Sequence, residues 1–379
     1  MMIPDIDKRS WVEVDLDVII NNYRIYKSHM PNDAQIMAVV KADAYGHGDI
    51  EVASCLNNEG VRLFAVSNIK EAIRLRNKGI NGEILILGYT PLRSAKLLKE
   101  YDITQALLDD NYADILKDYA ESNTKVQFAI DTGMNRIGLD ADDVAKCEKI
   151  IRKNSNRFNL NGLFTHLCVA DDFSDESIKF TKQQINKFKQ VTESIADLEL
   201  PYIHCLNSAG GLYTDCQYEG INRIVRLGIV LYGLKPDRSN TLPEGIRPAL
   251  QWKSVVSMIK TVHTGESIGY GRSYKATHDM IIATIPTGYA DGYNRLLSNK
   301  GYVLINGAKA PIVGRICMDQ FMIDVSNIGE IHVGNEVVLL GSQGDISFDA
   351  DDMAELIDTI GYEIVCDISK RVPRFYSNL

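Results

Sequence analysis

Two patterns of hydrophobic and polar residues divide the chain. From residue 36 to about 230, short apolar runs alternate with longer stretches whose apolar residues lie three and four positions apart. Near-continuous apolar strands separated by amphipathic helices are typical of a parallel sheet covered by helices. The pattern predicts eight strands, at residues 36–40, 63–67, 83–88, 104–108, 126–130, 162–166, 202–206 and 223–228. Helices are predicted between them at residues 68–79, 110–122, 142–154 and 177–198.

Near residue 245 the pattern changes. Beyond Pro248, apolar runs follow one another closely with Gly and Asn turns between them, and only residues 349–361 have helical spacing. Closely spaced strands of this kind are typical of an antiparallel β-domain. The predicted strands lie at residues 254–262, 280–286, 302–307, 310–316, 321–326 and 336–341.

Together these patterns predict the α/β fold class. Eight strand-and-helix units indicate a closed (β/α)8 TIM-like barrel, with a doubly wound open sheet as the alternative. We place the barrel at residues 12–244 and a mainly antiparallel C-terminal β-domain at residues 245–379, with residues 1–11 as candidates to join the β-domain.

The composition favours a soluble protein that acts on a small molecule. Of its 379 residues 45% are hydrophobic and 24% are charged, which is typical of a globular chain. The net charge of -9, without a basic cluster, disfavours nucleic acid and anionic membranes as partners. No apolar run approaches the ~20 residues of a membrane-spanning helix.

The first residues and the cysteines favour a cytoplasmic protein without a metal site. The first residues, MMIPDIDKRSW, contain charges where a secretory signal would have an apolar core. The seven cysteines are scattered, with no CxxC pair and no histidine at zinc-ligand spacing. We therefore expect reduced thiols.

Polar residues follow most of the predicted barrel strands. In a barrel the reacting groups lie at the carboxyl ends of the strands, where the βα loops meet. Any single residue there is more typical of a solvated strand end than of a functional group, whereas the whole set favours an active site. The set comprises Lys41, Ser67, Gly88, Asp131, Arg136, His166, Asn207, Ser208, Arg226 and Gly228.

Lys41 gives the most specific chemical signal. It directly follows the apolar run MAVV. Partial desolvation there favours the neutral amine over the ammonium, whose reference pKa is ~10.4, and a neutral amine can form a Schiff base or act as a general base. A structural salt bridge is an equally good interpretation of its position.

Three other strand ends offer groups for binding anions or rings. Arg136, in DTGMNRIG, has a planar guanidinium that suits a carboxylate. The amides of Gly228 and Ile229, in RLGI, suit a phosphate near the last two strands. His166 is either a site residue or a histidine at the rim of the core.

The β-domain contributes three further motifs. Tyr270 lies between two glycines in GYGRSY, a position that is more typical of a turn residue than of an acid or base. Tyr289 lies in GYADGYNR, and Met318 and Asp319 lie in CMDQF.

Taken together, the motifs resemble those of the alanine racemases, a family of fold-type III pyridoxal-phosphate enzymes. VVKADAYGHG, GYGRSY, GYADG and GRICMDQ occur in the family's order, and the resemblance extends from residue 11 to residue 376. It implies a TIM-like barrel with a C-terminal β-domain, a head-to-tail homodimer with shared active sites, and pyridoxal 5'-phosphate as cofactor. The implied activity is the interconversion of L- and D-alanine, which supplies D-alanine for peptidoglycan.

The resemblance implies two bases. Lys41 would hold pyridoxal phosphate covalently and, once released by the substrate, act on one face of the substrate Cα. Tyr270 of the partner subunit would serve the opposite face. Racemisation requires this arrangement because a base removes a proton from one side while an acid returns one from the other.

Roles for the remaining site residues also follow from the resemblance. The phosphate would be held by Tyr45, Ser208, Gly228 and Ile229. His166 would pack on the pyridine ring and Arg226 would face its nitrogen, keeping that nitrogen unprotonated. The substrate carboxylate would bind to Arg136 and to the backbone amide of the partner subunit's Met318. Tyr289 would border the substrate access, and Asp319 and Asn207 would support these groups without contacting the substrate.

Two departures from the family's pattern leave the preferred substrate open. Many members have a carbamylated lysine two residues before the DTGM aspartate, where this chain has Ala129, and a tyrosine before RVPR, where it has Lys370. A racemase for serine or for several small amino acids is therefore an alternative, since one changed pocket residue shifts discrimination by ~1 to 3 kcal/mol. A fold-type III decarboxylase is less well supported because GYGRSY argues against it. A pyridoxal-phosphate carrier is less well supported because such a protein lacks the predicted C-terminal β-domain.

Overall fold

The fold is that of a computed structural model, of which residues 9–214 and 224–377 are described. The predicted strand at residues 223–228 therefore begins one residue outside the described part, and Cys216 and residues 1–8 of the predicted N-terminal addition to the β-domain also lie outside it.

Parallel strands form a nearly closed barrel, which confirms the predicted TIM-like fold. Its strands are Gln35–Val39, Leu63–Val66, Glu83–Ile86, Thr104–Leu107, Lys125–Asp131, Asn159–Phe164, Tyr202–His204, Leu206–Asn207 and Ile224–Leu227. The hydrogen-bonded order begins at Leu206–Asn207 and ends at Tyr202–His204. Only Cys205 separates these two strands along the chain, so the ring of strands is continuous apart from that residue. A short strand, Leu139–Asp140, pairs with Lys125–Asp131 beside the ring.

The barrel strands are apolar because both of their faces are covered. Every residue of Leu63–Val66 and of Glu83–Ile86 is buried. Large side chains such as Phe64 and Phe128 fill the core. Helices cover the outside of the strands, which removes the alternation of polar and apolar residues that a half-exposed strand would have. These helices are Leu16–Ser28, Asp49–Asn58, Ile69–Asn77, Ala95–Glu100, Asp110–Leu116, Val144–Ser155, Asp175–Ser194 and Ser208–Tyr213.

The β-domain contains mainly antiparallel strands, as predicted. They are Leu250–Val255, Met258–Val262, Ser267–Ile268, Tyr274–Lys275, Met280–Ile285, Tyr302–Ile305, Ala308–Pro311, Phe321–Asp324, Glu336–Gln343, Ile346–Phe348 and Arg374–Ser377. Two helices, Ala350–Ile357 and Gly361–Asp367, follow the strand Ile346–Phe348.

One strand from the start of the chain lies inside this domain. Ser10–Asp15 pairs antiparallel with Leu250–Val255, Val12 lying opposite Trp252. On its other side it pairs parallel with Arg374–Ser377. These pairings support the proposal that the beginning of the chain belongs to the β-domain, and they extend the segment to Asp15.

Three local predictions in the β-domain are wrong. The run at residues 254–262 forms two strands in different sheets rather than one. The run at residues 310–316 remains a strand only to Pro311, after which Ile312 forms a single isolated bridge. Residues 361–367 form a second helix, which the predicted helix at residues 349–361 did not include. Short apolar runs fit either a strand or a buried helix, and tertiary packing decides between them.

Candidate functional site

A cavity of about 630 Å³ opens at the carboxyl ends of the barrel strands. Its lining joins residues that are far apart in the sequence, since each loop after a strand contributes to it. Twelve of the predicted site residues line it: Lys41, Tyr45, Ser67, Gly88, Asp131, Arg136, His166, Asn207, Ser208, Arg226, Gly228 and Ile229. Tyr270, Tyr289, Met318 and Asp319 do not line it.

Lys41 lies where the chain leaves the strand Gln35–Val39 and is half-buried. Burial lowers the pKa of its ammonium, and the positive charge of Arg136 lowers it further, while Glu71 has the opposite influence. The shift enriches the neutral amine, which is the form that adds to a carbonyl carbon.

The four residues after Lys41 form a left-handed turn. Ala42, Asp43, Ala44 and Tyr45 have φ angles between 50° and 58° although none of them is glycine. Left-handed helical backbone costs roughly 1–2 kcal/mol per L-residue, so contacts with the rest of the protein must hold this turn. The turn brings Tyr45 to the cavity wall, with its ring centroid 5.0 Å from that of Tyr232.

Hydroxyl and amide groups converge on one side of the cavity. The Gly228 amide donates to Ser208 Oγ over 2.9 Å. A Cβ atom at residue 228 would lie 2.8 Å from Tyr45 Oη, so glycine leaves room for the tyrosine hydroxyl. Ile229 begins a short 3-10 helix, and the first amides of a helix have no acceptor within it. Burial raises the pKa of Tyr45, which keeps its hydroxyl a donor.

Asn207 fixes the position of Ser208. Its Oδ1 accepts a hydrogen bond from the Gly210 amide over 2.8 Å and thereby caps the helix Ser208–Tyr213. Its Nδ2 donates to the Leu167 carbonyl over 3.0 Å. The side chain therefore ties the helix to the loop after the preceding strand.

Arg226 is a buried cation whose hydrogen bonds go to neutral groups. Its Nη2 donates to the Thr165 carbonyl over 2.6 Å, and its Nη1 donates to His204 Nδ1 over 2.7 Å. Burial lowers the pKa of its guanidinium to about 10, which leaves it protonated at neutral pH.

The protonation of two histidines follows from these contacts. Arg226 only donates, so His204 accepts at Nδ1 and its Nε2 carries the proton that it donates to Gln127 Oε1 over 2.9 Å. His166 Nδ1 lies 3.3 Å from Arg226 Nη2. Burial, Arg226 and Arg136 lower the pKa of His166 to about 3, so its ring is neutral. The sequence analysis missed His204 and Gln127. Each is a polar residue within an otherwise apolar strand, and this pattern could have indicated a buried hydrogen bond.

Arg136 adds a positive charge to the cavity rim. The Asp131 carboxylate accepts hydrogen bonds from the amides of Gly133 and Asn135 over 2.9 and 3.0 Å, which tightens the loop that carries Arg136. Among the described residues no carboxylate forms an ion pair with Arg136. With the buried cation Arg226 it makes the cavity suited to an anionic ligand.

The β-domain residues form a second group at the surface. Tyr270 is 70% exposed, Met318 54% and Tyr289 43%. Gly269 and Gly271, on either side of Tyr270, have φ angles of 74° and 68°, a conformation that favours glycine. The Tyr289 amide donates to the Cys317 carbonyl over 3.1 Å, which holds Tyr289 beside Met318.

A buried carboxylate supports this second group. Asp291 Oδ2 accepts from the Gly288 amide over 2.9 Å, and Asp291 Oδ1 accepts from Arg371 Nε over 2.7 Å. Burial opposes ionisation of Asp291, but Arg371 and Arg9 outweigh it and lower the pKa of the carboxyl group. Arg371 also donates to Asp319 over 2.5 Å. The sequence analysis missed Asp291.

The two departures from the family's pattern differ in location. Ala129 is buried and lines the cavity. Lys370 is exposed and does not line it. Tyr362 and Cys366, from the helix Gly361–Asp367, form that part of the wall instead, and the Tyr362 ring centroid lies 6.0 Å from that of Tyr45.

The donor set fits pyridoxal phosphate. The Lys41 amine suits its aldehyde, the hydroxyls of Tyr45 and Ser208 with the adjacent amides suit its phosphate, and Arg226 suits its ring nitrogen. The space beside Gly228, which a Cβ atom would narrow, agrees with a phosphate close to the backbone.

Two other kinds of feature are absent from residues 9–214 and 224–377. No helix there is long and apolar enough to cross a membrane. No group of three or more His, Cys, Asp or Glu side chains in the same ranges could hold a metal ion.

Two family models match almost the whole chain. The model for the N-terminal domain of alanine racemase matches residues 14–236, and the model for the C-terminal domain of alanine racemase matches residues 249–376. An alanine racemase from Halothermothrix orenii is 42% identical over 378 residues, covering 98% of each chain.

Solved structures agree with these matches. Alanine racemase from Bacillus anthracis with bound L-Ala-P has a TM-score of 0.89 and 35% identity, covering 99% of this chain and 96% of that one. Alanine racemase from Bartonella henselae with covalently bound pyridoxal phosphate has a TM-score of 0.85 and 29% identity, covering 97% and 99%.

Proposed function

Because this chain belongs to the alanine racemase family, we propose that it interconverts L- and D-alanine by a two-base mechanism in which Lys41 and Tyr270 act on opposite faces of the substrate. The observation that carries this proposal is the position of Lys41 in a cavity that is also lined by the hydroxyl residues Tyr45 and Ser208 and by Gly228 and Ile229. Family membership supports racemisation of alanine as the activity, so the chain is an isomerase.

The barrel residues bind and orient the cofactor. Lys41 would hold pyridoxal phosphate through Nζ, and Tyr45, Ser208, Gly228 and Ile229 would bind its phosphate. When bound, the cofactor supplies an electron-accepting ring that stabilises negative charge at the substrate Cα. Arg226 stays protonated at neutral pH and would face the ring nitrogen without transferring a proton to it. An unprotonated ring would be a weaker electron acceptor, which would limit side reactions.

Lys41 then exchanges protons with the substrate. Burial and the neighbouring Arg136 lower the pKa of the Lys41 ammonium, which favours the neutral amine that would accept the Cα proton. Arg136 binds the substrate carboxylate with its guanidinium, which no carboxylate among the described residues occupies.

The second base comes from another subunit. Tyr270 is exposed and does not line the cavity of its own chain, which supports a head-to-tail homodimer in which it completes the partner's site. Met318 and Tyr289 are exposed as well and would also enter the partner's site, the Met318 amide reaching the substrate carboxylate and Tyr289 bordering the access. Asp319, held by Arg371, supports them.

The remaining parts of the proposal concern the cell. We place the protein in the cytoplasm, where the absence of any disulfide among the described cysteines is the usual state. Its product D-alanine would supply peptidoglycan synthesis.

Chiral analysis of the products tests the activity. Purified protein loaded with pyridoxal phosphate is incubated separately with L-alanine and L-serine. Fast formation of D-alanine with little D-serine supports an alanine racemase, whereas equal or faster formation of D-serine means that the pocket selects another substrate. Release of carbon dioxide without racemisation would indicate a decarboxylase.

Mixing two inactive variants tests the shared site. We expect Lys41→Ala to lose the visible absorbance of the bound cofactor and Tyr270→Phe to retain it, with both inactive. If the variants are unfolded and refolded together, half of the dimers are mixed and one of their two sites has both bases, so activity returns to about one quarter of wild type. No recovery in such mixtures, with dimers present, would contradict a site shared between subunits.

A further inference from the structure

The turn after Lys41 requires support that its own residues do not supply. Ala42 to Tyr45 all have left-handed backbone, which in L-residues persists only where surrounding contacts hold it. Hydrogen bonds inside the turn, such as the Gly46 amide to the Ala42 carbonyl over 3.1 Å, follow from the conformation and do not favour it over a right-handed one. The decisive contacts must come from other elements.

Glu71 supplies such a contact at the first residue of the turn. Its Oε1 accepts a hydrogen bond from the Ala42 amide over 3.1 Å, and its Oε2 accepts one from the Ser67 amide over 2.7 Å. Ala42 and Ser67 follow two adjacent strands of the barrel, Gln35–Val39 and Leu63–Val66. One carboxylate thus joins two neighbouring strand ends beside the cavity, directly next to Lys41.

The position of Glu71 is itself fixed. It lies in the first turn of the helix Ile69–Asn77, where Asn68 accepts a hydrogen bond from the Glu71 amide over 3.1 Å. Because the side chain is held in one place, its acceptor oxygens and its negative charge are fixed beside the turn. Glu71 therefore contributes a localised negative charge as well as two hydrogen bonds.

We propose that Glu71 is a positioning residue for Lys41, which fixes where the lysine leaves its strand and balances the positive charges around its amine. The proposal rests on the proposed function, since it concerns the amine that would hold the cofactor. Nothing in it requires Glu71 to contact substrate or cofactor, and Glu71 does not line the cavity.

The charges around Lys41 determine the direction in which its pKa should change when Glu71 is replaced. Arg136 and Arg226 face the amine and favour its neutral form, as does its burial, while Cys366 and Glu71 favour the ammonium. His166 also faces it and is neutral. Removing the charge of Glu71 leaves the two arginines less opposed, so the amine should become available at lower pH than in wild type.

Three variants separate charge from shape. Glu71→Gln keeps the shape, loses the charge and turns an amide NH2 toward one backbone N–H. Glu71→Asp keeps the charge but is one methylene too short to reach both amides. Glu59→Gln is the matched control, because Glu59 is also half-buried and also accepts two hydrogen bonds, both over 2.7 Å, but from the surface residue Arg24.

The experiment measures how the full chain takes up pyridoxal phosphate. Each protein is freed of cofactor, pyridoxal phosphate is added back across a pH series, and the visible absorbance of the lysine-bound cofactor is followed with time. We expect the pH midpoint of the attachment rate to move lower in Glu71→Gln and to stay at the wild-type value in Glu71→Asp and Glu59→Gln. We also expect kcat to fall about tenfold in both Glu71 variants, with KM within about twofold, because a displaced amine weakens catalysis more than binding.

Two results would overturn the inference. One is a Glu71→Gln protein with the midpoint and kcat of Glu59→Gln. The other is a loss of thermal stability in both Glu71 variants with an unmoved midpoint, which would make Glu71 a purely structural residue. If wild type never develops the absorbance, the proposed function itself fails. If wild type develops the absorbance and Glu71→Gln has the same pH midpoint and the same kcat as wild type, only this inference fails.

Discussion

Gly46 gives a sharp test of the idea that packing holds the turn after Lys41. Its φ angle is 79°, and a Cβ atom there would lie 2.1 Å from the Val365 carbonyl oxygen in the helix Gly361–Asp367. The Gly46 carbonyl also accepts a hydrogen bond from Arg374 Nε over 3.2 Å. Alanine at this position would therefore strain the backbone and force the turn away from that helix.

The magnitude follows from a matched glycine. Gly79 also has a φ angle of 79°, but a Cβ atom there would have nothing within 4 Å. Gly79→Ala should cost only the left-handed strain, about 1–2 kcal/mol. Gly46→Ala should cost this strain plus about 1–3 kcal/mol for overpacking. Since ordinary contacts begin near 3.4 Å, the turn or the helix must move by about 1.3 Å.

Urea unfolding at one fixed protein concentration measures both costs. The same proteins are then titrated with pyridoxal phosphate. We expect Gly46→Ala to be the less stable variant and to lose roughly 10²-fold in activity, since a misplacement of about 1 Å near reacting groups has effects of that size. Gly79→Ala should retain wild-type cofactor binding. Equal stability and equal activity of the two variants would refute the view that contact with Val365 holds the turn.

Two further predictions concern buried titratable groups. Burial lowers the pKa of His47 to about 4, whereas the unfolded chain has the ordinary value near 6.5. The unfolded state therefore binds the proton more tightly, and the free energy of unfolding should fall as the pH drops from about 6.5 to about 4. The loss should be on the order of 3 kcal/mol. In His47→Asn, which can still donate to the backbone, the free energy of unfolding should change little over this pH range. An identical fall in the variant would contradict the assignment to His47. Asp291→Asn should leave Arg9 and Arg371 without their shared carboxylate and lower the free energy of unfolding by about 2 kcal/mol, less than for a fully buried pair because both arginines are about two-fifths exposed. It should also weaken the site formed by Tyr289, so an unchanged denaturation midpoint and unchanged KM would argue against that support.

The barrel could be predicted because its pattern is set by burial on both faces. Runs such as LFAV and EILI have no polar face to alternate with, and eight of them in regular spacing fit few folds. The second helix of the β-domain was missed because GYEIVCD is too short for its period to separate a helix from a strand.

Parts of the site could not be predicted for a different reason. The sequence placed Lys41 at a strand end correctly, but ADAY contains no glycine and gave no signal of left-handed backbone. Tertiary contacts from Glu71 and from the helix at residues 361–367 override the local preference there. His204 was hidden inside an apolar strand, since its role depends on Arg226 from the next strand of the ring.

The pairing of Ser10–Asp15 has a consequence for how the chain is made. Ser10 lies opposite Ser254, and Val12 lies opposite Arg374. At roughly 5–20 residues per second, the ribosome delivers the first of these partners about 12–50 seconds after the strand emerges. During that interval the barrel can form, but the backbone N–H and C=O groups of Ser10–Asp15 have no partner strand. Unpaired strand edges of this kind can bind chaperones or lead to aggregation. A fragment that begins at residue 245 would contain the strands Leu250–Val255 and Arg374–Ser377 but not the strand Ser10–Asp15 that joins them in the sheet.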